Sequence, residues 1–361
     1  MSRPIKATVN TAALRHNLYT VKQLAPSANV WSVVKANAYG HGLARCFSAL
    51  SSTDGFALLN YEEAIFLREA GITQPILLLE GFFKPYDLSL IEAYELTVAV
   101  HSYWQVEALA NFAAKKPISV YLKINNGMNR LGFSPDDVAT VWQQLSALPS
   151  VGKVTLMSHF ASADEGEMQM REPLRRLDLA TSMLNAPRCY ANSAATLWHP
   201  GTHHQWIRPG IILYGASPSG RSEDIAGFGL RPVMTLSSEI IAIQEVAPGE
   251  GIGYGHRYST TTTQRIGVIA CGYADGYPRH APSGTPVIVA GKHCHTVGTI
   301  SMDMMMVDLT HCPEATIGTP VELWGAQLPV DTVGAAAGTL GYELLTAVTQ
   351  RVPFSVTANE N

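Results

Sequence analysis

The sequence predicts an α/β protein, a (β/α)8 TIM-type barrel with a C-terminal, mostly antiparallel β domain, and three observations carry that reading. Eight short apolar runs recur between residues 30 and 215, with amphipathic stretches between several of them, and eight such units are the number that closes a parallel barrel. In the fifth run, Val120, Leu122 and Ile124 share one face while Tyr121, Lys123 and Asn125 share the other. Polar groups facing inward near a strand's C-terminal end suit a barrel mouth, whereas the competing fold, a doubly wound open sheet, buries both faces in apolar contacts. After residue 230 the texture changes to β-branched runs separated by Gly and Pro, which reads as antiparallel strands with tight turns.

In chain order, KATVN near the start is a lone strand that could pair with the later β domain. The eight barrel runs are VWSVVK (30–35), GFALLN (55–60), PILLLEG (75–81), LTVAVHS (96–102), ISVYLKIN (118–125), VTLMSHFA (154–161), RCYANS (188–193) and WIRPGIILYG (206–215). Between them, YEEAIFLREAG carries Ala64, Ile65 and Leu67 on one side and charges on the other, then ends at Gly71, and DDVATVWQQLSAL repeats the pattern. The β domain is expected from RPVMTLSSEIIAIQEVAPGE, RIGVIACGYADG, TPVIVAGK, TVGTISMDMMMVDLT and GTPVELWG. The expected division is a barrel over residues 11–229 and a β domain over 230–361, with a strand from 1–10 joining the latter.

The bulk numbers exclude several classes. A chain of 361 residues, 47% hydrophobic and 15% charged, is long enough for one large domain plus a smaller one, and it is not composed like a disordered chain. A net charge of −4 without long Lys/Arg runs leaves no footprint for nucleic acid or an anionic membrane surface. No segment approaches the roughly 20 apolar residues of a membrane helix, and MSRPIKATVN has no apolar core of an export signal. Five scattered cysteines without a CxxC pair fit a reducing cytoplasm. HPGTHH (199–204) invites a metal reading, but Pro200 and Gly201 break helical i, i+4 spacing and no acidic ligand is adjacent. The expectation is a solvated loop and no metal.

Chemistry begins at WSVVKANAYGHG, where Lys35 ends an apolar run. A lysine at a barrel mouth is partly desolvated, which favours its neutral, nucleophilic form. Taken alone, the position suits equally a lysine snorkelling out of a strand end or paired with a carboxylate. VVKANAYGHG, however, resembles the cofactor-lysine motif of the alanine racemases, enzymes that use pyridoxal 5'-phosphate (PLP) on a barrel plus a β domain. KINNGMNRLGF, MSHFASAD, ANSAAT, IRPGIILYG, GYGHRY, GYADGYPR and VGTISMDMMMVDL follow in that family's order, so the resemblance spans essentially the whole chain, and it is greatest to the bacterial catabolic type.

The resemblance implies roles. Lys35 would hold PLP and act as base on one face of the substrate Cα, and Tyr254 would serve the opposite face, since racemisation exchanges a proton on both sides of a planar carbanion. Tyr39, Ser193, Gly210, Ile211 and Tyr342 would surround the phosphate, with Asn192 and His159 also against the cofactor. Arg208 would face the pyridine nitrogen, where a permanent cation disfavours ring protonation and limits side reactions. Arg130 would sit near the phenolic oxygen and the substrate carboxylate. Lys123 matches a lysine that many members carry carbamylated, in a motif reading Lys-Ile-Asn-Asn where Lys-x-Asp-Thr is common; left unmodified, it would form a like-charge pair with Arg130. Tyr273, Met302 and Asp303 would line the substrate entrance. Tyr254 and Met302 would reach the partner's barrel in a head-to-tail homodimer.

The activity implied is interconversion of L- and D-alanine. Two alternatives stand beside it: a broader racemase acting on serine or lysine on the same scaffold, and a non-catalytic PLP-binding protein. Tyr273 and Met302 argue for a small side chain, and the further domain carrying Tyr254 argues for catalysis.

Overall fold

The structure is a computed structural model that describes residues 3–358; residues 1–2, at the start of the expected N-terminal strand, and 359–361, at the end of the expected β domain, lie outside the described residues. The chain forms two compact units, one made of Leu18–Ala38 and Leu50–Leu213, the other of the segment up to Asn17, Tyr39–Ala49 and the chain from Tyr214 on. Strand β1 (Lys6–Asn10) belongs to the second unit.

The first unit is the barrel. Its strands are β2 (Asn29–Val33), β3 (Gly55–Leu58), β4 (Ile76–Leu78), β5 (Thr97–Val100), β6 (Ile118–Lys123), β7 (Val151–Met157), β8 (Arg188–Cys189) and β9 (Trp206–Ile207). All run parallel in the order β8-β7-β6-β5-β4-β3-β2-β9. The two ends of this sheet meet where the Arg208 N–H donates to the Ala191 carbonyl at 2.8 Å. The interior is filled from opposite walls: the Trp31 indole N–H donates to Tyr121 Oη at 2.9 Å, and Trp31 stacks on Trp206 with ring centroids 4.4 Å apart. A Cβ on Gly55 would lie 2.3 Å from the Trp31 ring, so the neighbouring strand must begin with glycine. Polar Tyr121 and Lys123 do point inward on β6, as the alternation predicts, and both are buried.

Several strands are shorter or longer than the apolar runs suggest, for local reasons. RCYANS pairs only over Arg188–Cys189 because Asn192 turns out to cap the helix Ser193–Trp198, its Oδ1 accepting from the Ala195 N–H at 3.0 Å. WIRPG pairs only over Trp206–Ile207, since Pro209 has no N–H to continue the ladder. β7 starts three residues before the expected 154 because Gly152 and Lys153 are exposed at its entry and carry no apolar signal. The helix Tyr61–Glu69 follows its pattern: Ala64 and Leu67 are buried, Glu62 and Glu63 occupy the first turn, and Arg68 donates to the carbonyls of Ile72, Gln74 and Tyr94.

The second unit is a β barrel with additions. Its strands include β10 (Met234–Val246), β11 (Gly251–Ile252), β12 (Tyr258–Ser259), β13 (Gln264–Ile269), β14 (Pro286–Val289), β15 (Lys292–Val297), β16 (Met305–Asp308), β17 (Pro320–Trp324) and β18 (Phe354–Thr357). The order β13-β16-β15-β14-β17-β10, with β10 also paired to β13, closes an antiparallel ring. The N-terminal β1 pairs antiparallel with β10 and parallel with β18, the latter departing from the otherwise antiparallel pattern. TVGTISMDMMMVDLT supplies two strands, parted by a loop that starts at Gly298 with φ +73°. Among the described residues no helix is long and apolar enough to cross a membrane.

Candidate active site

β2 ends at Val33, so Lys35 lies just beyond the ladder and opens a turn of an unusual hand. Ala36, Asn37, Ala38 and Tyr39 all have positive φ, at 53°, 54°, 54° and 51°. Left-handed backbone costs an L-residue roughly 1–2 kcal/mol each, so such a run persists only where its surroundings impose it. Two hydrogen bonds hold it within the barrel unit: the Ala38 N–H donates to the Val34 carbonyl at 2.8 Å, and the Asn37 N–H to Glu63 Oε1 at 2.8 Å. Gly40 and Gly42 are left-handed too, but the turn begins four residues before Gly40, at residues that carry no glycine signal.

At the barrel mouth four cations face one another. Burial lowers the pKa of half-buried Lys35, Arg130 adds to this, and Glu80 opposes it. Lys123, 8% exposed, is pushed down to about 7, chiefly by burial and then by the guanidinium groups of Arg208 and Arg130. His159 is held well below the usual imidazole range by burial, with Arg208, Lys123, Arg130 and Lys35 all contributing. Arg208 is clamped by backbone: Nη1 donates to the Cys189 carbonyl at 2.5 Å, and Nη2 to the Ser158 and Tyr190 carbonyls at 2.5 and 3.3 Å. The printed bonds use only the two Nη groups of the guanidinium, so its Nε–H is not among the donors they occupy.

Arg130 is exposed on a loop tied back to β6. The Asn125 N–H donates to the Phe133 carbonyl and the Phe133 N–H to the Lys123 carbonyl, both at 2.9 Å. Asn125 Oδ1 accepts from the Gly127 and Asn129 N–H groups, an Asx turn that shapes the loop, so the asparagine in place of aspartate serves the backbone. Asn126 is almost fully buried, its Nδ2 has no hydrogen-bond partner, and it lines a cavity of about 10 Å³ with Lys123, Arg130 and His159. Among the described residues no carboxylate is ion-paired with Lys35, Lys123, Arg130 or Arg208. A cluster of cations with an acceptor-less amide calls for an anionic ligand, and this donor set fits a phosphorylated cofactor with an acidic phenol and a carboxylate substrate.

The same mouth holds the other expected barrel residues. Asn192 Nδ2 donates to the Phe160 carbonyl at 3.1 Å and lies 3.5 Å from His159 Nε2. Buried Ser193 accepts the Gly210 N–H at 2.8 Å through Oγ, which retains a proton to donate. Ile211, fully buried, begins a 3-10 turn, Ile211–Tyr214.

The remaining expected residues belong to the β unit. Tyr39 is buried and stacks on Tyr214 at 4.8 Å, with the Tyr342 ring 6.1 Å away; burial raises its phenol pKa, so it stays a donor. Tyr254 follows Gly253 (φ +69°), and Thr299 Oγ1 donates to its carbonyl at 3.2 Å. The Tyr273 N–H donates to the Ser301 carbonyl and the Ala274 N–H to that of Met302, both at 3.0 Å; a Cβ on Gly272 would lie 2.3 Å from the Ser301 oxygen. One loop cluster thus presents Tyr254, Tyr273 and Met302, which are 71%, 37% and 52% exposed. Asp303 Oδ1 pairs with Arg351 at 2.6 Å and Arg3 at 3.1 Å, so its charge is balanced by two guanidinium groups of the same unit.

The HPGTHH segment is corrected from a solvated loop to a half-buried tie. His199 Nε2 contacts the Ala163 carbonyl at 2.8 Å, His203 Nε2 contacts that of Thr196 at 2.9 Å, and His204 packs edge-on against Tyr190. Each ring has an apolar or backbone partner, which the polar composition concealed. Among the described residues no cluster of three metal-ligating side chains occurs. Sequence reasoning also passed over Glu63 and the carbonyl of Cys189 that clamps Arg208. Both sit in recognised elements, but nothing in the helical pattern shows which way the glutamate reaches, and an apolar run does not show which of its carbonyls a side chain will seek.

Two family profiles cover the chain: "Alanine racemase, N-terminal domain" matches residues 9–218 and "Alanine racemase, C-terminal domain" residues 233–356. An alanine racemase of Erwinia tasmaniensis is 60% identical over 98% of this chain and 99% of its own length. A catabolic alanine racemase of Salmonella typhimurium is 60% identical over 99% of this chain and all of its own. The crystal structure of the biosynthetic alanine racemase from Pseudomonas aeruginosa superposes with a TM-score of 0.95 at 44% identity, covering 98% of this chain and 99% of that one.

Proposed function

The chain belongs to the alanine racemase family, a family of isomerases, and from that premise we propose that it interconverts L- and D-alanine with PLP, using Lys35 and Tyr254 as the two bases. The observation that most supports this is the mouth where Lys35, Lys123, Arg130 and Arg208 converge without an ion-paired carboxylate. When bound, the cofactor supplies an electron sink for the pair left behind as the Cα proton departs.

The chain's own residues do the rest. Lys35 would hold the cofactor and, desolvated, would exchange the proton on one face of Cα; Tyr254 would exchange it on the other. Ser193, Gly210 and Ile211, and by the family resemblance Tyr39 and Tyr342, would bind the phosphate, and Asn192 and His159 would line the ring. Arg208 would donate toward the ring nitrogen, and Arg130 would orient the substrate carboxylate. Carbamylation of Lys123 would place an anion beside Arg130, and an amine whose pKa is about 7 supplies far more of the neutral form that reacts with carbon dioxide than a free lysine does at neutral pH. Tyr273 and Met302, with the backbone of Asp303, narrow the entrance to a methyl side chain.

The exposure of Tyr254 and Met302 in the single chain supports a head-to-tail homodimer in which each completes the partner's barrel. The functional division runs as a PLP-binding barrel over 11–229 and a β domain over 230–361 joined by the N-terminal strand. Five unpaired, buried cysteines are in keeping with a cytoplasmic enzyme. The deciding experiment is racemisation of L-alanine by the native protein and by Lys35→Ala, with the visible absorption of the bound cofactor recorded in both. Loss of activity on the order of 10²-fold or more, together with loss of the lysine-linked absorption, is expected. Undiminished activity in Lys35→Ala would overturn the proposal, and equal turnover of serine or lysine would replace it with the broader racemase.

A further inference from the structure

We infer that Glu63 is a positioning residue for Lys35: its carboxylate holds the left-handed turn on which that lysine sits. This deepens the proposed function and rests on the reading of Lys35 as cofactor anchor and base. The Asn37 N–H, two residues beyond Lys35, donates to Glu63 Oε1 at 2.8 Å. The turn it belongs to is left-handed through Ala36, Asn37 and Ala38; asparagine tolerates that region, whereas the alanines on either side ordinarily avoid it. Removing a restraint from such a run lets it relax toward the right-handed or extended basins, and the lysine at its head turns with it.

Glu63 is well placed to act as a fixed point. It stands in the first turn of Tyr61–Glu69, a helix seated by buried Ala64 and Leu67 and tied by Arg68 to four carbonyls of the barrel unit. Its second oxygen, Oε2, is buried and has no hydrogen-bond partner. A carboxylate kept from water on one side and spending its other oxygen on one strained N–H serves that N–H. Burial raises its pKa and the Asn37 N–H opposes the rise, as a bond to the ionised form requires. Charge-assisted bonds of this kind are about twice as strong as neutral ones.

The test compares Glu63→Ala, Glu63→Asp and Glu63→Gln in the full chain. In cofactor-free protein, amide hydrogen exchange at Asn37 should accelerate by about tenfold or more in Glu63→Ala and in Glu63→Asp, which is one methylene short, and little in Glu63→Gln, which still accepts the bond. In the cofactor-loaded enzyme kcat should fall on the order of 10- to 100-fold for the first two, with KM for alanine changed by less than about threefold. Adding Asn37→Gly to either should recover most of kcat, because glycine enters the left-handed region without penalty. Native exchange at Asn37 in both Glu63→Ala and Glu63→Asp, or no recovery by Asn37→Gly, would overturn the inference; if Glu63→Ala does not fold, Glu63→Asp carries the comparison. Lys35→Ala run in parallel separates the two readings: activity retained there sinks the role of Lys35, whereas activity lost there with unaltered Glu63 variants sinks only this inference.

Discussion

Arg208 donates through Nη1 to the carbonyl oxygen of Cys189 at 2.5 Å, so the guanidinium is held by the end of the adjacent barrel strand. The Ser158 and Tyr190 carbonyls take Nη2. Arg208→Glu would turn a carboxylate toward three carbonyl oxygens in a buried site, a loss of about 3–5 kcal/mol of stability in urea unfolding of the cofactor-free chain. Arg208→Lys keeps the charge but not the fork, and should cost less stability and still lower racemisation. If Arg208 limits side reactions, the glutamate variant also gains measurable transamination; transamination as negligible as in the native enzyme would count against that role.

Lys123 carries a pH dependence. Its folded-state pKa, about 7, lies below the 10.5 of a free lysine, so between those values the unfolded chain binds more protons than the folded one. An unmodified Lys123 therefore destabilises the fold fully below about pH 7, and the penalty, on the order of a few kcal/mol, is relieved as pH rises toward 10.5. Lys123→Met should be more stable than the native chain at pH 7 in bicarbonate-free buffer, and the gap should close by about pH 10. If Lys123 is carbamylated, bicarbonate should narrow the gap at pH 7 as well.

Tyr254 is 71% exposed, so Tyr254→Phe should leave thermal stability within about 0.5 kcal/mol of native. Deuterium exchange at Cα starting from L-alanine should nevertheless fall on the order of 10²–10⁴-fold. Full exchange in that variant would remove Tyr254 as the second base.

The shared-site dimer can be tested by complementation. Lys35→Ala and Tyr254→Phe chains, each nearly inactive alone, should recover up to about a quarter of native activity after unfolding and refolding together, because half of the random dimers contain one site with both native bases. No recovery on co-refolding would mean that each site is built from a single chain.

The alternation along ISVYLKIN announced Tyr121 and Lys123 as inward residues because strand side chains alternate with a period of two, and both are found inside the barrel. The eight apolar runs announced the parallel barrel for the same local reason, and their motifs announced the family. The hand of the turn after Lys35 was not legible, because alanine and asparagine have no local preference strong enough to declare four left-handed residues in a row. Nor was the pairing of Asp303 with Arg3 and Arg351, some 300 and 48 positions away in the chain.

The succession of elements along the chain, the character of each barrel face and the residue types at the mouth are properties of the sequence, since each depends on periodicity and composition over a few residues. Which carbonyls clamp Arg208, how far Lys123 is stripped of water, and that Glu63 reaches Asn37 were decided only by the tertiary structure. Those features arise when segments distant in the chain exclude solvent from one another, and desolvation and hydrogen-bond partnership are set by that enclosure.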